Sequence, residues 1–312
     1  MENLLVAVNA VVPFMIYMGL GFLARMIKAG DEEFFNRLNS LVFKIFFPLL
    51  LFWNFYSMDI SAGFSGRMVL MLLGSILIVT VLTFLIVNRS NLERNKKGVV
   101  IQAMFRGNMA LFALPLAESV CGEAGRSAAS LAVAISVPVF NMLAVVILES
   151  FHGERSSMFS LIKKVLLNPL IIGSIIGLIF LLLKIKLPVF LTKPISAIAQ
   201  TTTPMALMTL GGTLHFSSLK QNGKILSVSL TVRMVLIPAI LTALTVLFSF
   251  SIPERFVLFI LYACPIAVSS YPMAANMGGD RDLAGQYVAV STVVSLVTIF
   301  LWILVLKTAG II

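Results

Sequence analysis

Two apolar stretches of the sequence, Asn108–Pro115 and Pro265–Pro272, carry prolines and polar residues that interrupt an otherwise continuous helix. The amide of Asn108 can donate and accept hydrogen bonds, so it suits a carboxylate ligand or an unpaired backbone group. Hydroxyls in the second stretch can bind a ligand or bond to carbonyls of their own helix. The candidate substrate-binding residues in these stretches are Asn108, Pro115, Pro265, Ser269, Ser270, Tyr271 and Pro272.

Ionisable residues also lie inside apolar segments, where a charge is costly and marks a candidate functional group. Lys44 and Arg106 are candidate contacts for an anionic substrate, although such long side chains can instead extend their charge to the membrane surface. The same two alternatives apply to Arg233. Glu118 could carry a coupling proton or ion, or it could pair with Arg126.

The composition identifies the class of protein. Of the 312 residues, 59% are hydrophobic and only 12% are charged, and the mean hydropathy is +1.04. Such a chain has too little polar surface for water and is predicted to be an integral membrane protein. The net charge of +10 comes from Lys and Arg in short loops, so we expect no nucleic-acid partner. The sequence has no phosphate-binding loop motif and only two histidines, so no cofactor, metal site or enzymatic activity is expected.

The apolar segments have the length of membrane-spanning helices. About 20 residues are needed to cross the hydrocarbon core, and most of these segments come close to that length. The sequence therefore predicts an all-α membrane protein with ten transmembrane helices. The predicted spans are 4–24, 34–57, 68–88, 98–120, 127–149, 161–183, 194–215, 225–250, 255–278 and 283–306.

An internal repeat organises the ten spans. Prolines and glycines recur in the same order in residues 1–150 and 151–312, which we interpret as two five-helix repeats in one membrane domain. Because five is odd, the second repeat enters the membrane from the opposite side, which gives an inverted repeat. The matches are Pro13 with Pro169, Gly21 with Gly177 and Pro48 with Pro204 at a spacing of 156, and Pro115 with Pro272 at 157.

The inverted repeat predicts that the interrupted fourth and ninth spans cross each other in the membrane. Backbone groups left unpaired by the breaks persist only where protein, ligand or water meets them. Amino ends of half-helices favour anions, and their carboxyl ends favour cations. Most loop Lys and Arg residues fall on one side, which places both termini outside the cell by the positive-inside rule.

Several segments together carry a family resemblance: residues 106–116, Asn168, Pro169, 204–207, Gly211, Gly212, 264–272 and 278–298. In these segments the chain resembles the auxin efflux carrier family, which includes bacterial organic-acid carriers and the plant PIN auxin exporters. The resemblance implies ten helices in two inverted repeats, an elevator-type carrier, a site at the crossing of helices 4 and 9, and a homodimer. Leu170 stands where auxin-carrying plant members have an asparagine, which argues against auxin as the substrate.

The sequence thus predicts a secondary active or potential-driven transporter in the inner (plasma) membrane. The expected substrate is a small organic anion such as a carboxylate, and export is the expected direction. One alternative is a sodium- or proton-coupled uptake symporter of the bile-acid type. A second alternative is a membrane sensor that does not transport.

Overall fold

The computed structural model describes residues 2–57, 65–152, 158–214 and 219–312, and within these ranges the chain forms helices and no β-strand. Two of the helical runs contain a π-helical turn, at Val42–Phe46 and Val232–Leu236. The α-helices are α1 Glu2–Met26, α2 Glu32–Leu41, α3 Phe47–Tyr56, α4 Gly66–Asn88, α5 Arg94–Phe105, α6 Met109–Phe151, α7 Met158–Leu166, α8 Pro169–Leu182, α9 Val189–Thr213, α10 Leu219–Thr231, α11 Ile237–Leu247, α12 Ile252–Ala263, α13 Ser270–Asn276 and α14 Arg281–Thr308.

The helices are apolar on the faces that point away from the protein. In α4, for example, Leu70 and Ile86 are largely exposed, while Leu72 and Ile76 on the other face are fully buried. A helix that is apolar all round is stable at the surface only against lipid. Among the described residues, five helical segments are long and apolar enough to cross a membrane: Glu32–Tyr56, Gly66–Asn88, Met109–Phe151, Gln221–Leu247 and Arg281–Thr308. The molecule is therefore a multi-pass helical membrane protein.

The two π-helical turns each precede a proline. Pro48 and Pro238 lack the N–H that would continue the α-helical pattern, so the residue before each proline bonds five residues back. Phe47 N donates to Val42 O, and Ile237 N donates to Val232 O. Both helical runs continue through the turn, and each turn carries one basic residue.

The long helix α6 contains a sharp kink at Gly122. Its backbone dihedrals there are φ 62° and ψ −152°, a conformation that glycine adopts without steric cost. Glu118 and Arg126 form an ion pair of 3.3 Å across the kink. The sequence predicts separate spans on either side of this position, 98–120 and 127–149, and the kink lies between them within the continuous helical segment Met109–Phe151.

Close helix contacts at glycines join the two halves of the chain. A Cβ on Gly21 of α1 would lie 2.0 Å from Met208 O of α9, and one on Gly177 of α8 would lie 2.7 Å from Phe52 O of α3. Only a residue without a side chain permits the backbones to approach this closely, as is common between membrane helices. These contacts hold α1 against α9 and α3 against α8.

Candidate functional site

Both predicted interruptions are present in the structure. Helix α5 ends at Phe105 and α6 begins at Met109, so three residues separate the two helices. Helix α12 ends at Ala263 and α13 begins at Ser270, which leaves six residues between them. Pro115 and Pro272 lie inside the helices that follow, so both breaks end before these prolines.

The two breaks contact each other through their backbones. Gly107 lies opposite Ile266 in a short antiparallel pairing, the only such bridge within the described residues. This pairing satisfies amide and carbonyl groups that lipid could not, which is the condition for irregular backbone inside a membrane. The hydrogen bonds run from Asn108 N to Pro265 O (2.9 Å) and from Ala267 N to Arg106 O (3.4 Å).

A cavity of about 280 Å³ lies beside this pairing. Its walls come from α3, from the α5–α6 break and the first turn of α6, from α6 beyond the kink, from α9, and from the break before α13. Apolar side chains form most of the wall and a few polar groups converge on it, as in small-molecule sites. The polar side chains lining the cavity are Asn54, Arg106, Asn108, Asn141, Thr203 and Ser269.

Arg106 supplies the charge of the cavity. Arg106 is 2% exposed. Its guanidinium donates hydrogen bonds to Ser269 Oγ (2.7 Å) and to Asn141 Oδ1, and it also contacts Met273 Sδ. All three partners are neutral, and Arg106 forms no ion pair within the described part of the chain. A buried cation without a counter-charge is unstable unless a ligand supplies one.

Asn108 adds an unpaired donor at the same place. It is the residue before α6 and is 8% exposed, and its Nδ2 is buried without a hydrogen-bond partner among the described residues. The next residues, Met109, Ala110 and Leu111, line the cavity, so the amino end of α6 faces it. Free donors and the positive end of a helix both favour an anion at this position.

Arg233 lies behind the crossing, outside the cavity. It is fully buried in the second π-helical turn and donates from Nη1 to Tyr262 O (3.0 Å) and Cys264 O (2.6 Å). These are carbonyls at the carboxyl end of α12, which would otherwise lack donors. The guanidinium therefore occupies the end of a half-helix where a bound cation would be favoured.

We expect Arg233→Met to destabilise the protein. The substitution leaves two buried carbonyls without donors, at a cost of about 1–3 kcal/mol each. The measurement is the thermal unfolding temperature in detergent, with exposed Arg89→Met as the matched control. An unfolding temperature equal to that of the wild type would show that the guanidinium does not hold this helix end.

The other predicted contacts in the second stretch have different environments. Ser269 lines the cavity and binds Arg106. Ser270 is buried and its carbonyl accepts from Gln102 Nε2 (3.2 Å), while its hydroxyl finds no partner in the part of the chain that the structure describes. The hydroxyl of Tyr271 bonds to Thr213, away from the cavity. The carbonyl of Pro265 accepts the hydrogen bond from Asn108 N that pairs the two breaks.

The remaining predicted site residues lie outside this cavity. Lys44 is exposed in the first π-helical turn, consistent with a side chain that extends its charge away from the protein. Glu118 pairs with Arg126 on an exposed surface of α6. Pro115 lines a second cavity of about 680 Å³ beside α1 and α9, and Pro272 lies within α13. None of these four residues lines the cavity beside the paired breaks.

Sequence reasoning did not select Asn141 or Thr203. Asn141 accepts a hydrogen bond from Arg106, and Thr203 lines the same cavity from α9. An amide in the middle of the predicted fifth span, where every neighbour is apolar, is the signal that could have identified Asn141. Nothing distinguishes Thr203 from the adjacent threonines at 201 and 202 in the sequence.

The cavity offers hydrogen-bond donors rather than metal ligands. Within the described ranges, no three His, Cys, Asp or Glu side chains are grouped closely enough to hold a metal ion. The groups that face the cavity are a guanidinium, amides and hydroxyls. This set suits an anion or a carbonyl-bearing ligand.

Comparison with known proteins agrees with this architecture. Residues 6–303 match the family described as membrane transport protein. The chain is 25% identical to an uncharacterized transporter of Methanocaldococcus jannaschii, over 96% of this chain and 98% of that protein. It is 23% identical to an uncharacterized transporter of Methanothermobacter thermautotrophicus, also over 96% and 98% of the two chains. With its interrupted, contacting helices and a match over nearly its whole length, the chain belongs to the membrane transport protein family, the auxin efflux carrier family, and is a membrane transporter.

Proposed function

We propose that this transporter carries a small organic anion, such as a mono- or dicarboxylate, through the crossing of its interrupted helices. The observation that carries the proposal is the buried guanidinium of Arg106, which faces the cavity with neutral partners only. A carboxylate in the cavity would neutralise this charge and accept from the free Nδ2 of Asn108. The volume of about 280 Å³ restricts the substrate to a small molecule.

We propose export driven by the membrane potential as the direction of transport. With an inside-negative potential of about 100 mV, each expelled negative charge releases about 2.3 kcal/mol, so export needs no coupling ion. Arg233 supports this choice, because it already holds two carbonyls that a sodium ion could otherwise coordinate. Glu118, the candidate for proton coupling, is paired with Arg126 away from the cavity.

Symmetric contacts support the proposed inverted repeat of ten spans. Gly177 follows Gly21 by 156 residues, and Met208 follows Phe52 by the same number. Each glycine packs against the backbone of the residue at the corresponding place in the other half. One contact is therefore converted into the other by exchanging the two halves of the chain, as a two-fold axis between repeats requires.

An elevator mechanism is part of the same proposal. The glycine contacts join α1 with α9 and α3 with α8 into a tightly packed unit, which we assign as the fixed part. The crossing of α5–α6 with α12–α13 would move past it with the substrate. By its family resemblance we further propose a homodimer in the inner (plasma) membrane, with both termini outside.

Ligand binding can test the anion proposal before any flux is measured. Purified protein is heated in the presence of a panel of mono- and dicarboxylates, each paired with its uncharged amide. A ligand that binds the folded state raises the unfolding temperature, so we expect at least one acid, and not its amide, to stabilise the protein. If no acid stabilises it, or the amides do so equally, the charge of the cavity does not select the substrate.

We expect Asn108→Ala to abolish saturable flux of the stabilising acid in proteoliposomes. The substitution removes the free donor and leaves part of the ligand carboxylate unpaired, which costs about 1–3 kcal/mol or more. Asn95→Ala, at an exposed position outside the cavity, is the control. Unchanged flux in Asn108→Ala would place the transport site elsewhere.

The driving force is tested with the same vesicles. An imposed potassium diffusion potential, negative inside, should accelerate efflux of the acid, while sodium and pH gradients should have little effect. Sodium- or proton-dependent accumulation would identify the coupled uptake symporter instead. Ligand binding without any flux would identify a sensor.

A further inference from the structure

A second apolar feature lies between α4 and the α10–α11 segment, away from the crossing. It is a groove of about 750 Å³ whose walls are formed mainly by Leu, Ile and Val side chains. Ile86 on one wall is 69% exposed and Val228 on the other is 58% exposed, so the groove is open to the surroundings of the protein. In a membrane, an open apolar groove of this kind faces lipid.

The charged residues that line the groove, among those the structure describes, lie at one end. Ser90, Lys96, Gln221 and Lys224 line it there, where α4 ends and α5 and α10 begin. Two hydrogen bonds and an ion pair connect the starts of α5 and α10 with the start of α14, so the three helices begin at the same membrane surface. The contacts are Asn222 Nδ2 to Gln286 Oε1 (2.9 Å), Asp280 N to Asn95 O (3.0 Å) and Lys96 Nζ to Asp280 Oδ2 (4.0 Å).

The charge of this end is incompletely balanced. Lys224 is exposed and has no acidic partner among the described residues. The Lys96 ammonium lies 3.9 Å from the carboxylate of Glu93 and 4.0 Å from that of Asp280, which is close to the longest distance of an ion pair. Two ammonium groups at the mouth of an apolar groove are complementary to a phosphate with a hydrocarbon chain attached to it.

The length of the groove agrees with that ligand. Along α10–α11 its lining runs from Ile225 to Ile240, which corresponds to about 22 Å of helix. The groove therefore extends beyond the middle of a hydrocarbon core of about 30 Å and ends before the far surface. This is the path of an acyl chain whose headgroup stays at one surface.

We propose that this groove is a binding site for an anionic phospholipid. The phosphate is held by Lys224 and Lys96, and one acyl chain lies between α4 and α10–α11 along Ile86, Val228 and Ile240. A second copy of the chain is a poorer occupant. In a two-fold dimer through this face, Lys224 and Lys96 would meet their own copies, and like charges would repel.

The test is native mass spectrometry of the purified transporter with phosphatidylglycerol or phosphatidylcholine of identical acyl chains. We expect the wild type to retain phosphatidylglycerol preferentially and Lys224→Gln to lower that retention about fivefold. Lys28→Gln, which removes an exposed lysine away from the groove, is the matched control and should bind like the wild type. Val228→Trp, which fills the groove from an exposed position, should lower retention of both lipids.

Three outcomes would overturn the proposal. Equal retention of the two lipids by the wild type would show that the headgroup is not recognised. Unchanged retention in Lys224→Gln and Val228→Trp would place the bound lipid elsewhere. A dimer that Val228→Trp converts to a monomer would identify a second copy as the occupant. None of these results depends on which substrate the transporter carries.

Discussion

Replacing Arg106 with glutamine should lower the affinity for the transported acid by at least about thirtyfold, because it removes the one charged side chain that lines the cavity among the described residues. Glutamine can still donate to Asn141 and Ser269, so the wall of the cavity is largely preserved. The measurements are ligand-induced stabilisation and flux in proteoliposomes. Wild-type affinity in Arg106→Gln would exclude the guanidinium from substrate binding.

The same variant should be as stable as the wild type, or more stable, when no ligand is present. A buried cation with neutral partners carries a desolvation penalty that a neutral amide does not. Lys44→Gln is the matched control, since Lys44 is exposed and lies outside the cavity, and it should retain both affinity and flux. A large fall in the unfolding temperature of Arg106→Gln would instead assign Arg106 to folding.

Replacing Gly107 with alanine should destabilise the crossing and abolish transport. The added Cβ would lie 2.6 Å from Cys264 Sγ, 2.7 Å from Leu261 O and 3.0 Å from Arg233 Nη2. Contacts this short force the two breaks apart, and overpacking of this kind costs about 1–3 kcal/mol. The expected result is a lower unfolding temperature together with loss of ligand-induced stabilisation.

The control for this variant is the same substitution at Gly74. Within the described residues, no atom beyond the local backbone of α4 lies within 4 Å of a Cβ built there, in the middle of the helix, so Gly74→Ala should leave stability unchanged or raise it. The double variant Gly107→Ala/Cys264→Ala should recover part of the lost stability, because it removes the closest side-chain contact. If Gly107→Ala is as stable as Gly74→Ala, the close pairing of the two breaks is not required.

Arg106 and Arg233 illustrate how one residue type serves two purposes at this crossing. Arg233 donates to carbonyls of a helix end, so its loss is expected to affect folding. Arg106 faces the cavity with neutral partners, so its loss is expected to affect binding. Measuring unfolding and ligand binding for both variants separates the two roles.

Much of the architecture was predictable because membranes impose strong rules on sequence. Long apolar segments must be helices, and a proline or glycine between them marks a break that lipid alone cannot satisfy. The presence of both breaks was therefore readable from local sequence, although they begin at Arg106 and Cys264, before the predicted Asn108 and Pro265. The crossing itself follows from matching the two halves of the chain.

The burial and the contacts of individual basic residues were not predictable from the same patterns. Lys44 and Arg233 both lie in π-helical turns that precede a proline, yet Lys44 is exposed and Arg233 is fully buried. The difference arises from what packs against each turn, since Arg233 meets the end of α12. The local sequence predicts the π-helical turn but not which helix packs against it.

The sequence by itself determined a helical membrane protein with two interrupted helices and a polar, basic segment at the first interruption. Only the tertiary structure decided which polar groups share a cavity: it joined Arg106 to Asn141 and Ser269 and directed Tyr271 and Glu118 elsewhere. The physical reason is that hydropathy and helix-breaking residues act locally. The partners of a buried charge are set instead by the rotation and packing of helices that are distant in sequence.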